Sequence, residues 1–243
     1  MNADRRLRLW SVLAEHVRGG PVAVAHVGAA MVATTGVDGV AITVMLDATP
    51  RETVYASDQV ASVLEELTLT LGEGPGVDAC SGRTTLADDL TAPDCLSRWP
   101  VFAPAAVRAG VCAIFALPLR VGGIRLGAVD LYRARPGPLG RERLADALVL
   151  ADMACALLLD AAHDEPSQPY RYGSEPAGLR HPEVHQATGM ITVQLGVTAA
   201  VALIRLRAYA YANDRRLRDV ARDVVARRLR FGSDAAGDDR RGS

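Results

Sequence analysis

The chain has 243 residues, with 27 arginines, no lysine and 28 acids, and close to half of its residues are apolar. That length allows one medium and one small domain, and the missing lysine excludes a P-loop, which needs its phosphate-binding lysine, and a receiver domain, which uses a lysine beside its phospho-acceptor aspartate. The four cysteines, at 80, 95, 112 and 155, form no CxxC pair, against a zinc ribbon or thioredoxin chemistry. No apolar run reaches about eighteen residues and no signal peptide is visible, so the expected setting is cytoplasmic, with reduced thiols and no membrane partner.

In chain order, residues 4–18 read as a helix with Leu7, Leu9, Trp10, Leu13 and Val17 apolar, broken at Gly19-Gly20-Pro21. Residues 22–35 form a second helix, ending near Gly36. The period then becomes extended: strands at 40–46 and 52–56 flank a turn at Pro50. Residues 58–70 are helical, and Leu71-Gly-Glu-Gly-Pro-Gly-Val follows as a tight loop. A short strand at 83–87, a helical piece starting at Trp99 and Phe102, and a strand at 111–119 come next. That strand pairs antiparallel with 126–132 across a turn at Val121-Gly122-Gly123. A long helix over 140–163 closes the domain. The order predicts an α+β domain, an antiparallel sheet with flanking helices, over residues 1–163.

The Gly-Glu-Gly-Pro-Gly loop (72–76), Asp89-Leu90 ahead of Trp99-Pro100, the strand ending Leu117-Pro118-Leu119 and the Leu126-Gly127-Ala128-Val129 hairpin resemble, in that order, a GAF domain. The resemblance implies a sensor or dimerisation domain. Families of this fold bind cyclic nucleotides, bilins or haem. Here the lysine of the cyclic-nucleotide signature is missing, no cysteine precedes a histidine, and no histidine lies between His26 and His163. No cofactor is expected. An unknown small-molecule ligand, or none, remains; Ile42, Val44, Cys80, Cys112 and Phe115 read first as core and otherwise as the candidate lining of a pocket.

Residues 164–180 carry three prolines and two glycines and read as a linker. Residues 181–231 contain three amphipathic segments: Ala187, Met190, Ile191 and Leu195; Ala199, Ala202, Leu203, Leu206 and Ala210; Leu217, Val220, Ala221, Val224 and Val225. Pro182 suits a first helical position, Gly196 a helix end, and Thr198 and Asp214 the capping positions of the second and third helices. The stretch predicts a small all-α three-helix domain. Residues 232–243 read as a disordered tail.

Charge sets this stretch apart. It holds nine arginines and four acids, an excess of five positive charges, whereas residues 1–163 hold fourteen arginines and eighteen acids. A basic helical end points to a polyanion partner. Ala187 and Gly189, then Gly196-Val197-Thr198, then Ala202, Leu206, Arg207 and Ala210, then Arg215, Leu217, Val220, Ala221 and Val224 resemble an ANTAR domain, the RNA-binding module of transcription antiterminators. Asp214 stands where that family usually has Asn, Thr192 where Met is usual, and Arg205 where an apolar residue is common. The resemblance implies binding to tandem hairpins in nascent RNA, with a homodimer supplying avidity. Arginine neutralises phosphate and stacks on exposed bases, and tyrosine offers a ring. On that logic the candidate RNA contacts are Gln186, Thr188, Gly189, Arg205, Arg207, Tyr209, Arg215, Arg216 and Arg218.

Other site chemistries find little support. The 72–76 loop lacks the G-x-G-x-x-G spacing of a dinucleotide site and reads as a structural turn. His181 and His185 lie four apart without an evident third ligand and read as terminal or surface residues, so no metal is expected. No nucleophile–base pair or paired acids suggest catalysis. The alternative to an antitermination regulator is a small-molecule or redox sensing module whose C-terminal helices only mediate dimerisation or protein contacts.

Overall fold

In the computed structural model, residues 3–17, 19–45, 51–163 and 181–232 are described. The chain divides into two compact units, a sheet domain and a C-terminal helical unit. The expected linker and all but the first residue of the expected tail lie outside the described residues.

The sheet domain is built on five antiparallel strands in the order β2-β1-β5-β4-β3. They are β1 (Gly39–Val44), β2 (Glu52–Ala56), β3 (Thr85–Ala87), β4 (Ala113–Val121) and β5 (Ile124–Arg133). One face carries Ile42, Val44, Phe115, Leu117, Leu119, Val129 and Leu131. Helices α1 (Ala3–His16), α2 (Val24–Thr35) and α7 (Arg141–His163) cover it with Leu9, Leu13, Val27, Met31 and Leu150. Arg5 and Arg8 of α1 pair with Glu142 and Asp146 of α7, fixing the two helices beside one another.

The second sheet face follows from the same period of two. Between the large apolar residues lie Thr43, Ala116, Ala128 and Asp130. Ala116 and Ala128 pack with Ala79 and Cys80 of α4 (Pro75–Cys80) in a small separate cluster. Small side chains there let backbone lie close to backbone. Gly127 is the tightest case: a Cβ at 127 would overlap the Thr43 carbonyl oxygen, so only glycine permits the pairing of β5 with β1 at this register.

Asp58 starts α3 (Gln59–Leu71) by accepting from the Ala61 amide, 2.9 Å, and from the Tyr132 hydroxyl, 2.9 Å. The 72–76 stretch is a joint: Gly72 ends α3 at φ 69°, Gly74 at φ 128° opens α4, and Pro75 takes its first position. Glu73 reaches across to accept the amides of Val101 and Phe102, at 2.8 and 2.7 Å, where α6 (Phe102–Arg108) begins. Helix α4 and helix α5 (Pro93–Arg98) are absent from the sequence-based expectation. Each has six residues, under two turns, too short to show a 3.6-residue period.

The C-terminal unit consists of α8 (Pro182–Leu195), α9 (Ala199–Ala212) and α10 (Leu217–Val225). Its centre is apolar: Val184, Ala187 and Ile191; Ala202, Leu206 and Ala210; Leu217, Val220, Ala221 and Val224 are all fully buried. Pro182 stands in the first turn of α8, Gly196 ends it at φ 63°, and the Thr198 hydroxyl accepts from the Val201 amide. The expected cap at Asp214 is corrected. Arg216 is the N-cap residue of α10, with no side-chain cap, and Asp214 sits at φ 49° in the turn. Left-handed backbone is a conformation that aspartate tolerates better than most residues. No single helix among the described residues is long and apolar enough to cross a membrane.

Candidate nucleic-acid interface and a buried charge cluster

The outer surface of the helical unit is set by what its core consumes. On α8 the buried residues Val184, Ala187, Thr188 and Ile191 leave Gln186, Gly189 and Val193 exposed. Thr188 therefore leaves the candidate face: it is buried, and its hydroxyl donates to the Val184 carbonyl, 2.7 Å, one turn back. Gly189 has ordinary helical geometry, and nothing lies within 4 Å of where its Cβ would stand.

On α9, Arg205 is exposed and carries no ion pair among the described residues. Arg207 is half-buried and its Nε already donates to a backbone carbonyl, 2.8 Å. Tyr209 is half-buried, its ring in a T-shaped contact with Phe231 at 5.5 Å between centroids. The exposed ring is Tyr211, at 60% of its maximal surface. Tyr211 was not among the residues singled out from the sequence. Helical spacing accounts for the difference in exposure: Leu206 and Ala210 define the inner side, and Tyr209 lies beside it while Tyr211 lies opposite. Ile204 and Val201 share the outer side with Tyr211.

The arginines of α10 and its flanks divide into paired and unpaired sets. Asp223 holds two of them, Arg215 at 2.6 Å and Arg228 at 2.8 Å. Hydrogen bonds from Arg215 and then Arg228 hold the Asp223 carboxyl below the ordinary carboxylate range. Arg222 lies between Asp219, 3.5 Å, and Glu183, 3.6 Å. Arg216 is exposed and already engaged. Arg218 is half-buried, with its Nε lacking a hydrogen-bond partner. Arg227 and Arg230 are exposed and, among the described residues, carry no ion pair. They were not among the candidates. Pairing leaves the net charge untouched, so the unit keeps its excess of five positive charges with an apolar, tyrosine-bearing outer side on α9.

Residues 180–225 match the family model of the ANTAR domain. The helical unit is an ANTAR domain. That family consists of RNA-binding antitermination regulators, and eight of the residues that carried the resemblance are buried in this ANTAR domain: Ala187, Ala202, Leu206, Ala210, Leu217, Val220, Ala221 and Val224. Among curated proteins none matches the chain. Among solved structures, the chain is similar to the GAF domain of a phosphoenolpyruvate-protein phosphotransferase from Acinetobacter, at 10% identity over 69% of this chain and 100% of that one, with a TM-score of 0.49. It is also similar to the GAF domain of such a phosphotransferase from Coxiella burnetii, at 15% identity, covering 67% and 97%, TM-score 0.47. A third is SdiA in complex with octanoyl-rac-glycerol, at 14% identity, covering 93% and 96%, TM-score 0.48.

The residues proposed from sequence to line a ligand pocket do not converge. Ile42, Val44 and Phe115 point into the core under α1, α2 and α7, whereas Cys80 lies on the opposite sheet face and Cys112 is half-buried ahead of β4. Strand alternation separates them: residues facing one helical layer cannot face the other. Burial raises the thiols of Cys80 and Cys155 to about 11 and also raises that of Cys95, which leaves these thiols protonated. His181 is buried at the head of α8 rather than on the surface, and no group of three or more metal-ligating side chains occurs among the described residues.

The second sheet face holds a cluster that sequence reading missed. Arg51 donates through Nη2 to Asp130 Oδ2, 3.0 Å, and lies 3.5 Å from Glu65 Oε2. The hydroxyls of Thr43, 2.7 Å, and Thr53, 3.4 Å, donate to the same Glu65 oxygen. Glu65 and Asp130 are buried, at 4% and 7% exposure, and Arg51 is nearly so. Arg51 Nε and Nη1, Glu65 Oε1 and Asp130 Oδ1 have no hydrogen-bond partner. Burial, then the negative charge of Glu65, push Asp130 up to about 7, against the opposing pull of Arg51. The guanidinium stays charged: burial works to discharge it, but Glu65 and Asp130 outweigh burial and raise its pKa.

Proposed function

We propose that the chain is a signal-responsive antitermination regulator in which a GAF-like sheet domain controls an ANTAR domain that binds hairpins in nascent RNA. The ANTAR match over 180–225, joined to the excess of positive charge there, supports this reading most directly. Arg205, Arg227 and Arg230 supply unpaired guanidinium groups for phosphate, and Tyr211 supplies a ring on which an unstacked loop base can stack. Gln186 and Gly189 offer a close approach to the α8 surface. No step is covalent. Two copies bound to two hairpins gain by effective concentration.

The test is binding of the full chain to a tandem short-hairpin RNA over a range of salt. Affinity should fall with salt, and each arginine in contact with phosphate should carry about 0.7 of the logarithmic slope. Arg205→Ala, Arg227→Ala and Arg230→Ala should each flatten that slope if they make such contacts. A slope near zero would refute the reading.

One observation favours a second reading, in which the C-terminal helices serve protein contact only. The outer side of α9 bears Val201, Ile204 and Tyr211 with one charge, Arg205, and acids hold several arginines elsewhere. Salt-insensitive self-association without RNA binding would support it.

A further inference from the structure

The cluster at Arg51, Glu65 and Asp130 has an unresolved electrostatic problem whatever the ANTAR domain binds. Three ionisable groups lie together out of water. If both carboxyls were ionised, one guanidinium would face two negative charges in a layer with little other polarity. Uncompensated buried charge is costly, and the usual outcome is that one group takes up or loses a proton. The pattern of partners points the same way. Glu65 Oε1 and Asp130 Oδ1 are both acceptors lacking a donor. One proton on the pair gives an orphan oxygen a donor and balances the remaining charge against Arg51.

We propose that this cluster is a proton switch in the sheet domain: Asp130 and Glu65 hold one proton between them over the Arg51 guanidinium, and its release loosens α3 and α4 from the sheet.

The geometry shows what the released proton would disturb. Thr43 of β1, Arg51 just ahead of β2, Thr53 of β2, Glu65 of α3, Cys80 of α4 and Asp130 of β5 face the cluster. Of these, Asp130 is the group raised to neutrality, whereas the Cys80 thiol is pushed up to about 11 and Arg51 stays cationic. Gly76 of α4 lies so close that a Cβ there would overlap Asp130 Oδ2 and crowd the Arg51 guanidinium. The α4 backbone therefore rests directly on the carboxyl. Glu65 is an α3 side chain. A second negative charge would appear beneath both helices, with nothing else in the cluster able to neutralise it.

The sign of the effect follows from linkage. Asp130 in the folded layer titrates above its ordinary value, so the folded layer binds more protons than an opened one. Stability is lost as pH rises from the ordinary range to the raised one, and levels off above it. With a folded value of about 7 and an opened value near 3.8, opening should become roughly tenfold more frequent between pH 6 and pH 8.

Hydrogen exchange of the full chain at those two pH values, corrected for intrinsic rates, reads this directly in peptides covering α3 and α4. The expected result is about tenfold faster opening at pH 8 in those helices, with α2 and α7 unchanged. Asp130→Asn should abolish the difference. If that variant does not fold, Glu65→Gln removes the like charge and should bring the Asp130 carboxyl 13C titration down towards the ordinary carboxylate range. Equal opening at both pH values in the wild type, the same tenfold change in Asp130→Asn, or an Asp130 carboxyl that titrates in the ordinary range in the wild type would each overturn the proposal. None of these readouts involves RNA, so its failure and that of the ANTAR reading are distinct.

Discussion

Gly189 allows a test in which stability and binding should move in opposite directions. A glycine in the middle of a helix costs about 1 kcal/mol relative to alanine, through the backbone freedom it loses on folding. Most buried or left-handed glycines repay this with a conformation or a close contact. Gly189 does neither within its own chain: its backbone is ordinarily helical, and nothing stands within 4 Å of an added Cβ. Gly189→Ala should therefore stabilise the ANTAR domain by about 1 kcal/mol, which for so small a domain is roughly 4–8 °C in melting temperature. If the bare backbone exists so that RNA can approach α8, the same methyl group should hold the RNA away. Calorimetry of the full chain follows the first effect in the ANTAR transition, and fluorescence anisotropy with a labelled hairpin RNA follows the second. A higher melting temperature with weaker binding is the expected pair. A variant that melts lower would refute the account of the open space around residue 189, and one that binds RNA as tightly as the wild type would remove α8 from the interface.

Asp223→Asn should release Arg215 and Arg228 together, so RNA affinity should rise and its salt slope steepen. Because those arginines hold the Asp223 carboxyl below its ordinary range, its contribution to stability is present at neutral pH and lost on acidification through that lowered value, and melts of the wild type but not of Asp223→Asn should record the loss. The two tyrosines should part company: Tyr209→Ala lowers the melting temperature by removing the edge contact with Phe231, whereas Tyr211→Ala leaves it unchanged and weakens RNA binding about tenfold if one base stacks there. Gly127→Ala should destabilise the sheet domain by about 3 kcal/mol, measured by denaturant unfolding, because the clash is with the Thr43 backbone and no side chain can move aside.

What could be read from sequence divides along physical lines. Helices α8 to α10 were legible because their apolar residues recur at helical spacing and because Pro182, Gly196 and Thr198 mark the ends by local rules. The same local rules misplaced the start of α10, since an aspartate three residues ahead of its first residue fits a cap as well as it fits a left-handed turn. Strands β1, β4 and β5 were legible from runs of β-branched and apolar residues. The two faces of those strands were not, because every β1 residue is buried on one side or the other and the alternation of sizes is muted. That is why Ile42, Val44 and Phe115 were grouped with Cys80. The charge cluster needs residues 43, 51, 53, 65 and 130 brought together by placing β1 between β2 and β5, and no local pattern encodes that order. An aspartate amid the apolar residues of β5 was the one available clue, since strands disfavour it.

The contact between the α4 backbone and Asp130 also constrains how this sequence can drift. Position 76 can accept a side chain only if position 130 gives up its carboxyl, and once that carboxyl is gone Arg51 and Glu65 no longer need to balance it. A side chain introduced at 76 alone would leave a clash, and loss of Arg51 alone two uncompensated carboxyls, so the tolerated route is concerted replacement. In homologous chains, residues 51, 65, 76 and 130 should accordingly vary as a linked set: arginine, two acids and glycine together, or a larger residue at 76 opposite a small apolar one at 130. A collection of homologous sequences would display that linkage as covariation among four positions scattered over eighty residues, and would separate chains that retain the charged layer from those that have exchanged it for ordinary packing.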